Sequence, residues 1–274
     1  MTSLSATDIQ HYQDFGYLSP LRVLSEAEAA DYRVKLEAIE AAGAAGTDHL
    51  RFKPHLLFTS LDELIRHPKI LDAVEGVIGP NILCWATNFF TKEPRSTNFI
   101  SWHQDLTYWG LEPADIVTAW VALSPATVGS GCMRFMPGTH KMEIAPHKDT
   151  FAEDNMLSRG QEVEVEVDEN EAADIILQPG EMSLHHVKLI HGSNANRSDD
   201  RRIGFAIRYV PAYVRQVVGE KDSAVLVRGV DVEKNFEHEA PPADDLDQAA
   251  LAQYNAIMKR QEAVLYRDTD RGFK

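Results

Sequence analysis

The sequence predicts a mainly β fold with flanking helices, a double-sheet jelly roll. Three observations predict it: short runs rich in β-branched and aromatic residues recur after residue 81, turn signals separate them, and no helical segments lie between them. The last point argues against a βαβ architecture, whose parallel strands need helical crossovers. With 274 residues and 44% hydrophobic content the chain can bury one sizeable core, so a single domain over 1-274 is expected. Within it we expect N-terminal helices (1-80), a jelly-roll core (81-230) and an acidic helical tail (231-274).

Thr7, with Gln10 three residues later, has the form of a capping box and predicts a helix from Asp8 to about Phe15, stopped by Gly16. Ser25 and Glu28 repeat the signal, and Ala29, Tyr32, Leu36 and Ile39 give the following helix an apolar stripe that ends near Gly43. Residues 41 to 47 are mostly small, and basic and apolar residues alternate from His49 to His55. That stretch (41-58) reads either as a solvated edge or as a lid over a site. Pro68 opens a helix through Val77 that Gly79-Pro80 terminates. Strands are predicted over Ile82 to Phe90, Ile116 to Leu123, Cys132 to Met136, Glu162 to Val167, Glu181 to His186, Arg202 to Val210 and Ala224 to Val227. The tail reads as a helix from Asp244 to about Tyr266, with Leu246, Ala250, Tyr254 and Ile257 on one face. Such a face suits covering the barrel or pairing two chains as a homodimer.

Lys plus Arg is 27 against 42 Asp plus Glu, a net charge of -15, which disfavours nucleic acid and anionic membrane surfaces as partners. Cys84 and Cys132 form no C-x-x-C pair and read as buried free thiols of a reducing compartment. The first residues lack the basic and apolar regions of a signal peptide, and no apolar run approaches the ~18 residues of a membrane span. A cytoplasmic protein acting on a small molecule is the expectation.

Chemistry concentrates in Ser101 to Trp109. In an extended segment His103 and Asp105 project to one side while Gln104 points to the other. An imidazole nitrogen with a hard carboxylate oxygen suits Fe(II), Mn(II), Co(II) or Zn(II) rather than Ca(II). One more histidine would complete a facial triad, and His185, His186 and His191 all stand where strand ends can deliver them. Eleven residues after His191, Arg202 begins a strand with Gly204, Ala206 and Arg208 on its own face. Small residues beside an inward arginine leave room for an acid, which a guanidinium fork grips bidentately. The plainer alternative is a surface salt bridge from Arg202 to Asp199 or Asp200. Trp109 and Arg208 offer an aromatic wall and a cation to a substrate.

The set His103-x-Asp105, His191-Gly-Ser193 and Arg202 resembles the phytanoyl-CoA dioxygenase family of Fe(II)- and 2-oxoglutarate-dependent oxygenases. The likeness extends over roughly residues 8 to 215, through Thr87 to Pro94, Trp102 to Tyr108, Ala119 to Leu123 and Gly131 to Lys141. It implies a double-stranded β-helix, the cupin-like jelly roll, with iron held by His103, Asp105 and His191. It also implies 2-oxoglutarate contacts from Arg202, Ser193, Trp120 and Asn88, and a supporting place for His186 behind the ligands. The implied reaction consumes O2, converts 2-oxoglutarate to succinate and CO2, and hydroxylates an unactivated C–H. Related halogenases carry Ala or Gly where Asp105 stands, so its carboxylate implies hydroxylation. No tract stands out for the phosphates of coenzyme A, and the expected substrate is a small polar or anionic metabolite, an amino acid or a phosphonate such as 2-aminoethylphosphonate. The competing reading is a non-oxidative metal-dependent jelly roll that binds a small acid or sugar. Such a protein has no need of Arg202 and Ser193 in their places.

Overall fold

The computed structural model describes residues 4–43 and 49–272. Helix α1 (Ala6–Phe15) begins two residues before the expected start, because Ser5 rather than Thr7 is its cap. The Ser5 hydroxyl accepts from the Asp8 N–H at 3.2 Å, and the Asp8 carboxylate accepts from the Ser5 N–H at 2.9 Å. Helix α2 (Glu26–Ala41) has the Ser25/Glu28 box as read. Helix α3 (Thr59–Ile65) was not legible, having no side-chain cap and only seven residues, yet it buries Leu61, Leu64 and Ile65. Helix α4 (Pro68–Ile78) starts on its proline and ends at Gly79.

The strands follow as β1 (Tyr17–Arg22), which precedes α2, then β2 (Ile82–Lys92), β3 (Ile100–His103), β4 (Leu111–Glu112), β5 (Val117–Ala122) and β6 (Met133–Phe135). After these come β7 (His147–Asp149), β8 (Gln161–Val163), β9 (Ala173–Ile175), β10 (Glu181–His186) and β11 (His191–Ser193). β12 (Arg202–Pro211), β13 (Arg215–Gln216), β14 (Ser223–Arg228) and β15 (Glu237–His238) complete the set, and helix α5 (Gln248–Leu265) closes the chain. One sheet has seven strands in the order β1-β10-β5-β12-β2-β14-β15, and a four-stranded sheet runs β3-β11-β6-β9. All pairs in both are antiparallel except β14 with β15. The alternating run 162-167 supplies only the start of a strand. Its partner β7 is three residues long and pairs just His147 to Asp149, so residues beyond Val163 have no ladder to continue.

β12 shows how the fold divides its two faces. Ile203, Phe205, Ile207 and Tyr209 pack outward with the helices, in one cluster with Ile65, Ile70, Leu71 and Val74. Arg202, Gly204, Ala206 and Arg208 therefore point between the two sheets. Both free cysteines are buried, as expected. The tail helix lays Ala250, Tyr254 and Ile257 onto the barrel, the covering role foreseen for that face.

Of the segment read as an edge or a lid, residues 44–48 lie outside the described residues. Beyond them Lys53 and His55 are buried rather than solvated. Lys53 donates to the Glu239 carboxylate and to the Ser223 carbonyl at 3.2 Å, and His55 Nδ1 lies 2.7 Å from Thr87 Oγ1. Burial pushes the Glu239 pKa up, but Lys53 and His55 outweigh it and hold the carboxylate below its ordinary 4.5. Its folded pKa is thus depressed, so the stability it contributes is present above that value and lost as acid titrates it. Glu239→Gln, which leaves Lys53 charged and alone, should cost about 3–5 kcal/mol in urea unfolding, while Lys53→Met/Glu239→Gln together should recover most of the loss. A single variant as stable as wild type would show that water reaches Lys53.

Candidate metal centre and adjoining cavities

The centre is built on one antiparallel register. β3 and β11 pair so that His191 lies directly opposite His103, and their rings stand 4.1 Å apart. His191 is the first residue of its strand, in keeping with the strand-end position read for it. Asp105 is not on an extended segment: β3 ends at His103, and Asp105 begins a 3-10 turn through Tyr108. The turn still returns the carboxylate to the imidazole, with Oδ1 3.4 Å from His103 Nε2. One donor atom from each of His103, Asp105 and His191 lies within 4.8 Å of the others, and all three residues are buried.

Each imidazole is fixed by a backbone carbonyl. His103 Nδ1 is 2.9 Å from the Ser101 oxygen and His191 Nδ1 is 2.9 Å from the Leu189 oxygen. A carbonyl can only accept, so both Nδ1 atoms carry the proton and both Nε2 lone pairs are left for a metal. Burial and the neighbouring His103 push the His191 pKa down to about 4. Burial raises that of Asp105, but the adjacent His103 and His191 rings and the Arg208 charge hold it well below the usual carboxylate range. At neutral pH these are the protonation states that ligation of a divalent cation requires.

His185, not His186, supports the ligands. Its Nε2 lies 4.0 Å from Asp105 Oδ2 and its ring 4.8 Å from that of His191. Adjacent strand residues face opposite ways, so His186 points outward, accepts from the Lys188 N–H at 3.0 Å and packs on His140.

Arg202 is fully buried. Asp199 and Asp200 are taken by Arg95 and Arg33, at 2.6 and 2.9 Å, so the surface salt bridge does not form. Its Nη1 donates to the Gly131 carbonyl at 3.1 Å, while Nε and Nη2 have no partner among the described residues. Burial lowers its pKa to about 10, which leaves it charged at neutral pH. The guanidinium sits 5.3 Å from the Trp120 ring, and the ring needs Gly204, where a Cβ would come within 1.7 Å of Trp120 Cζ2. Ser193, Trp120, Arg202, His103, Asp105 and His191 line one narrow inner pocket.

Asn88 faces elsewhere. It holds Arg208 Nη1 through Oδ1 and lines an outer cavity of 440 Å³ with Trp85, Trp109, Gln261 and Leu265. Arg208 lies 5.6 Å from the Trp109 ring, its Nε has no partner among the described residues, and it borders both spaces, as do Asp105, Phe90 and Leu157. Lys92, whose amine donates to Ser193 Oγ at 2.6 Å, and the tail residues Gln261 and Leu265 were not legible as site residues in the sequence. Lys92 lies in a stretch already singled out, but only the register with Arg202 gives it meaning. The tail is tied to the metal-bearing turn through Arg267 Nη1 and the Tyr108 carbonyl, 3.1 Å apart.

A jelly roll with two histidines and a carboxylate converging in its interior is the framework of mononuclear non-haem metal proteins. The family model described as Phytanoyl-CoA dioxygenase (PhyH) matches residues 12–204, and the chain belongs to that family. Among solved structures, a non-heme monooxygenase, ThoJ in its apo form, is 34% identical with a TM-score of 0.84, over 94% of this chain and 96% of its own. CytC3 with Fe(II) and alpha-ketoglutarate shares the fold at 24% identity and a TM-score of 0.64, over 88% of this chain and 98% of its own. A curated relative, the probable alpha-ketoglutarate-dependent hypophosphite dioxygenase of Stutzerimonas stutzeri, is 30% identical over 61% of this chain and 58% of its own length. The human peroxisomal phytanoyl-CoA dioxygenase is 33% identical over 55% of this chain and 46% of its own. The chain thus spans about half the length of the curated relatives it matches. No helix among the described residues is long and apolar enough to cross a membrane.

Two variants separate the histidines. His185→Ala should weaken Mn(II) binding about 10- to 100-fold by calorimetry, the usual effect of removing a group that orients ligands. His186→Ala should leave it unchanged, and the reverse ranking would place His186 inside.

Proposed function

We propose that this protein is a non-haem Fe(II)- and 2-oxoglutarate-dependent dioxygenase that hydroxylates a small polar or anionic metabolite. One observation carries the reading: the buried His103, Asp105 and His191 share a pocket with an arginine that, among the described residues, has two guanidinium nitrogens unpartnered and no carboxylate of its own. Such an arginine requires an anion, and a metal-chelating oxo-acid with a second carboxylate supplies one.

Two neutral imidazoles and one ionised carboxylate fit Fe(II), and His103, Asp105 and His191 would hold it. When bound, iron with O2 and 2-oxoglutarate supplies the oxidising chemistry that gives succinate, CO2 and a hydroxylated C–H. The residues of the chain bind, orient and shield. Arg202 would take the far carboxylate through Nε and Nη2, with Ser193 beside it and Trp120 against the guanidinium. Phe90, Met133 and Leu157 form apolar walls that keep water out. Asp105 supplies an anionic ligand, which supports hydroxylation over halogenation.

The outer cavity supports the substrate class. Its volume of 440 Å³ falls in the range of about 300–1,000 Å³ usual for small-ligand sites. Among the described residues Arg51 and Arg208 are the basic ones in its lining, which suits one anionic group better than the phosphates of coenzyme A. Arg208, steadied by Asn88, would bind a carboxylate or phosphonate, and Trp109 would flank the reacting carbon. Amino acids and phosphonates such as 2-aminoethylphosphonate are the first candidates.

The test is succinate formation by Fe(II)-loaded protein across a metabolite panel, with Zn(II) inactive because it has no redox chemistry. Absence of substrate-stimulated succinate across the panel would sink the reading. Arg202→Leu should raise the 2-oxoglutarate requirement about 30- to 4,000-fold, the equivalent of roughly 2–5 kcal/mol. Unchanged cosubstrate affinity in a folded variant would give Arg202 a structural role only. Arg208→Leu should uncouple the enzyme, so that 2-oxoglutarate is still slowly consumed while hydroxylated product falls tenfold or more. Measuring succinate and product together decides it, since a parallel loss of both, or of neither, removes Arg208 from the substrate site.

A further inference from the structure

β2 places Lys92 directly opposite Arg202 of β12, and both side chains are fully buried. No carboxylate pairs with either among the described residues. The Lys92 amine is surrounded by neutral oxygens instead: Ser193 Oγ at 2.6 Å, the Asn194 carbonyl at 2.5 Å and the Ser193 carbonyl at 3.3 Å. In its ammonium form Lys92 has three protons and no lone pair, so it donates to all three. Ser193 Oγ is then an acceptor toward Lys92, and its own proton is left for another partner. The same side chain lines the inner pocket with Arg202 and the metal-binding set.

We propose that Lys92 is a positioning residue for the cosubstrate: it turns the Ser193 hydroxyl into a donor toward the carboxylate that Arg202 binds, and it adds a second buried positive charge at that end of the pocket. The inference rests on the 2-oxoglutarate reading above. Its driving force is the cost of two adjacent cations in a dry interior. Burial and the Arg202 charge push the Lys92 pKa down to about 6, and an arriving dianion raises it again, so the ammonium form and the bound carboxylate stabilise one another. The other titratable group beside the pair is the Cys132 thiol, which burial keeps protonated, so no protein anion competes for them.

Two inhibitors isolate the effect. N-oxalylglycine carries both carboxylate ends of the cosubstrate, whereas oxalate carries only the metal-chelating end. Lys92→Met should raise the KM for 2-oxoglutarate and the Ki for N-oxalylglycine tenfold or more, with the larger part of the kinetic effect in KM rather than kcat. The Ki for oxalate should stay within about twofold. Ser193→Ala should behave in the same way, and Lys92→Met/Ser193→Ala should be no worse than the stronger single change, because both remove one hydrogen bond. Equal loss against both inhibitors, a folded Lys92→Met with unchanged KM, or additive effects in the double variant would overturn the proposal. If Lys92→Met does not fold, Ser193→Ala decides alone: an unchanged KM overturns it and a selective loss of N-oxalylglycine supports it. Wild-type protein that neither consumes 2-oxoglutarate nor is bound by N-oxalylglycine would bring down the pocket assignment as well, whereas wild-type turnover with an indifferent Lys92 variant removes this inference only.

Discussion

The pairing of His103 with His191 across β3 and β11 is the constraint on which the centre depends. The side-chain period of a strand is two, so a slip of one residue in that ladder would turn either imidazole out of the barrel. The carbonyls of Ser101 and Leu189 then set the rings, each from two residues before the histidine it orients. Ligand position and ligand tautomer are thereby products of the same two short segments. The seven-stranded sheet has a different duty, which is to bring charge to the opposite wall through the inward residues of β12.

That wall holds an uncommon distribution of charge. Lys92, Arg202 and Arg208 are all buried, Asp105 acts on Arg208 alone of the three, and the chain as a whole carries -15. A protein that is acidic outside and cationic within discriminates anions inside the cavity rather than by long-range capture, since exterior charges are screened beyond about 8–10 Å at ordinary ionic strength. The cost of holding those cations dry is borne by the rest of the fold, including the large apolar cluster between the helices and the outer face of the sheet.

Much of this was legible in the sequence, because periodicity and motif spacing are local. The parity of Arg202, Gly204, Ala206 and Arg208, the helix cap at Ser25 and the strand Glu181–His186 needed nothing beyond neighbouring residues. What was misread depended on contacts between distant segments. His186 was favoured over His185 because a one-residue difference in facing is fixed by the pairing of β10 with β5. Lys53 and His55 looked solvated because their partner, Glu239, lies far along the chain. Asn88 was read with the cosubstrate, yet it stands with Arg208 in the outer cavity, a distinction of depth along β2 that sequence spacing does not carry. Short elements such as α3 and β11 gave no signal, since three to seven residues cannot display a period.

The tail helix gives the architecture a division of labour. Gln261 and Leu265 form part of the outer cavity wall, while every residue of the metal set and of the Arg202 pocket lies upstream of position 209. The tail therefore contributes to the outer cavity and not to the inner pocket, and it is joined to the Asp105 turn by a few bonds such as Arg267 to Tyr108. Changes confined to that helix can reshape the outer wall without touching the inner pocket, so a lineage built on this plan can vary the one while the other is inherited intact.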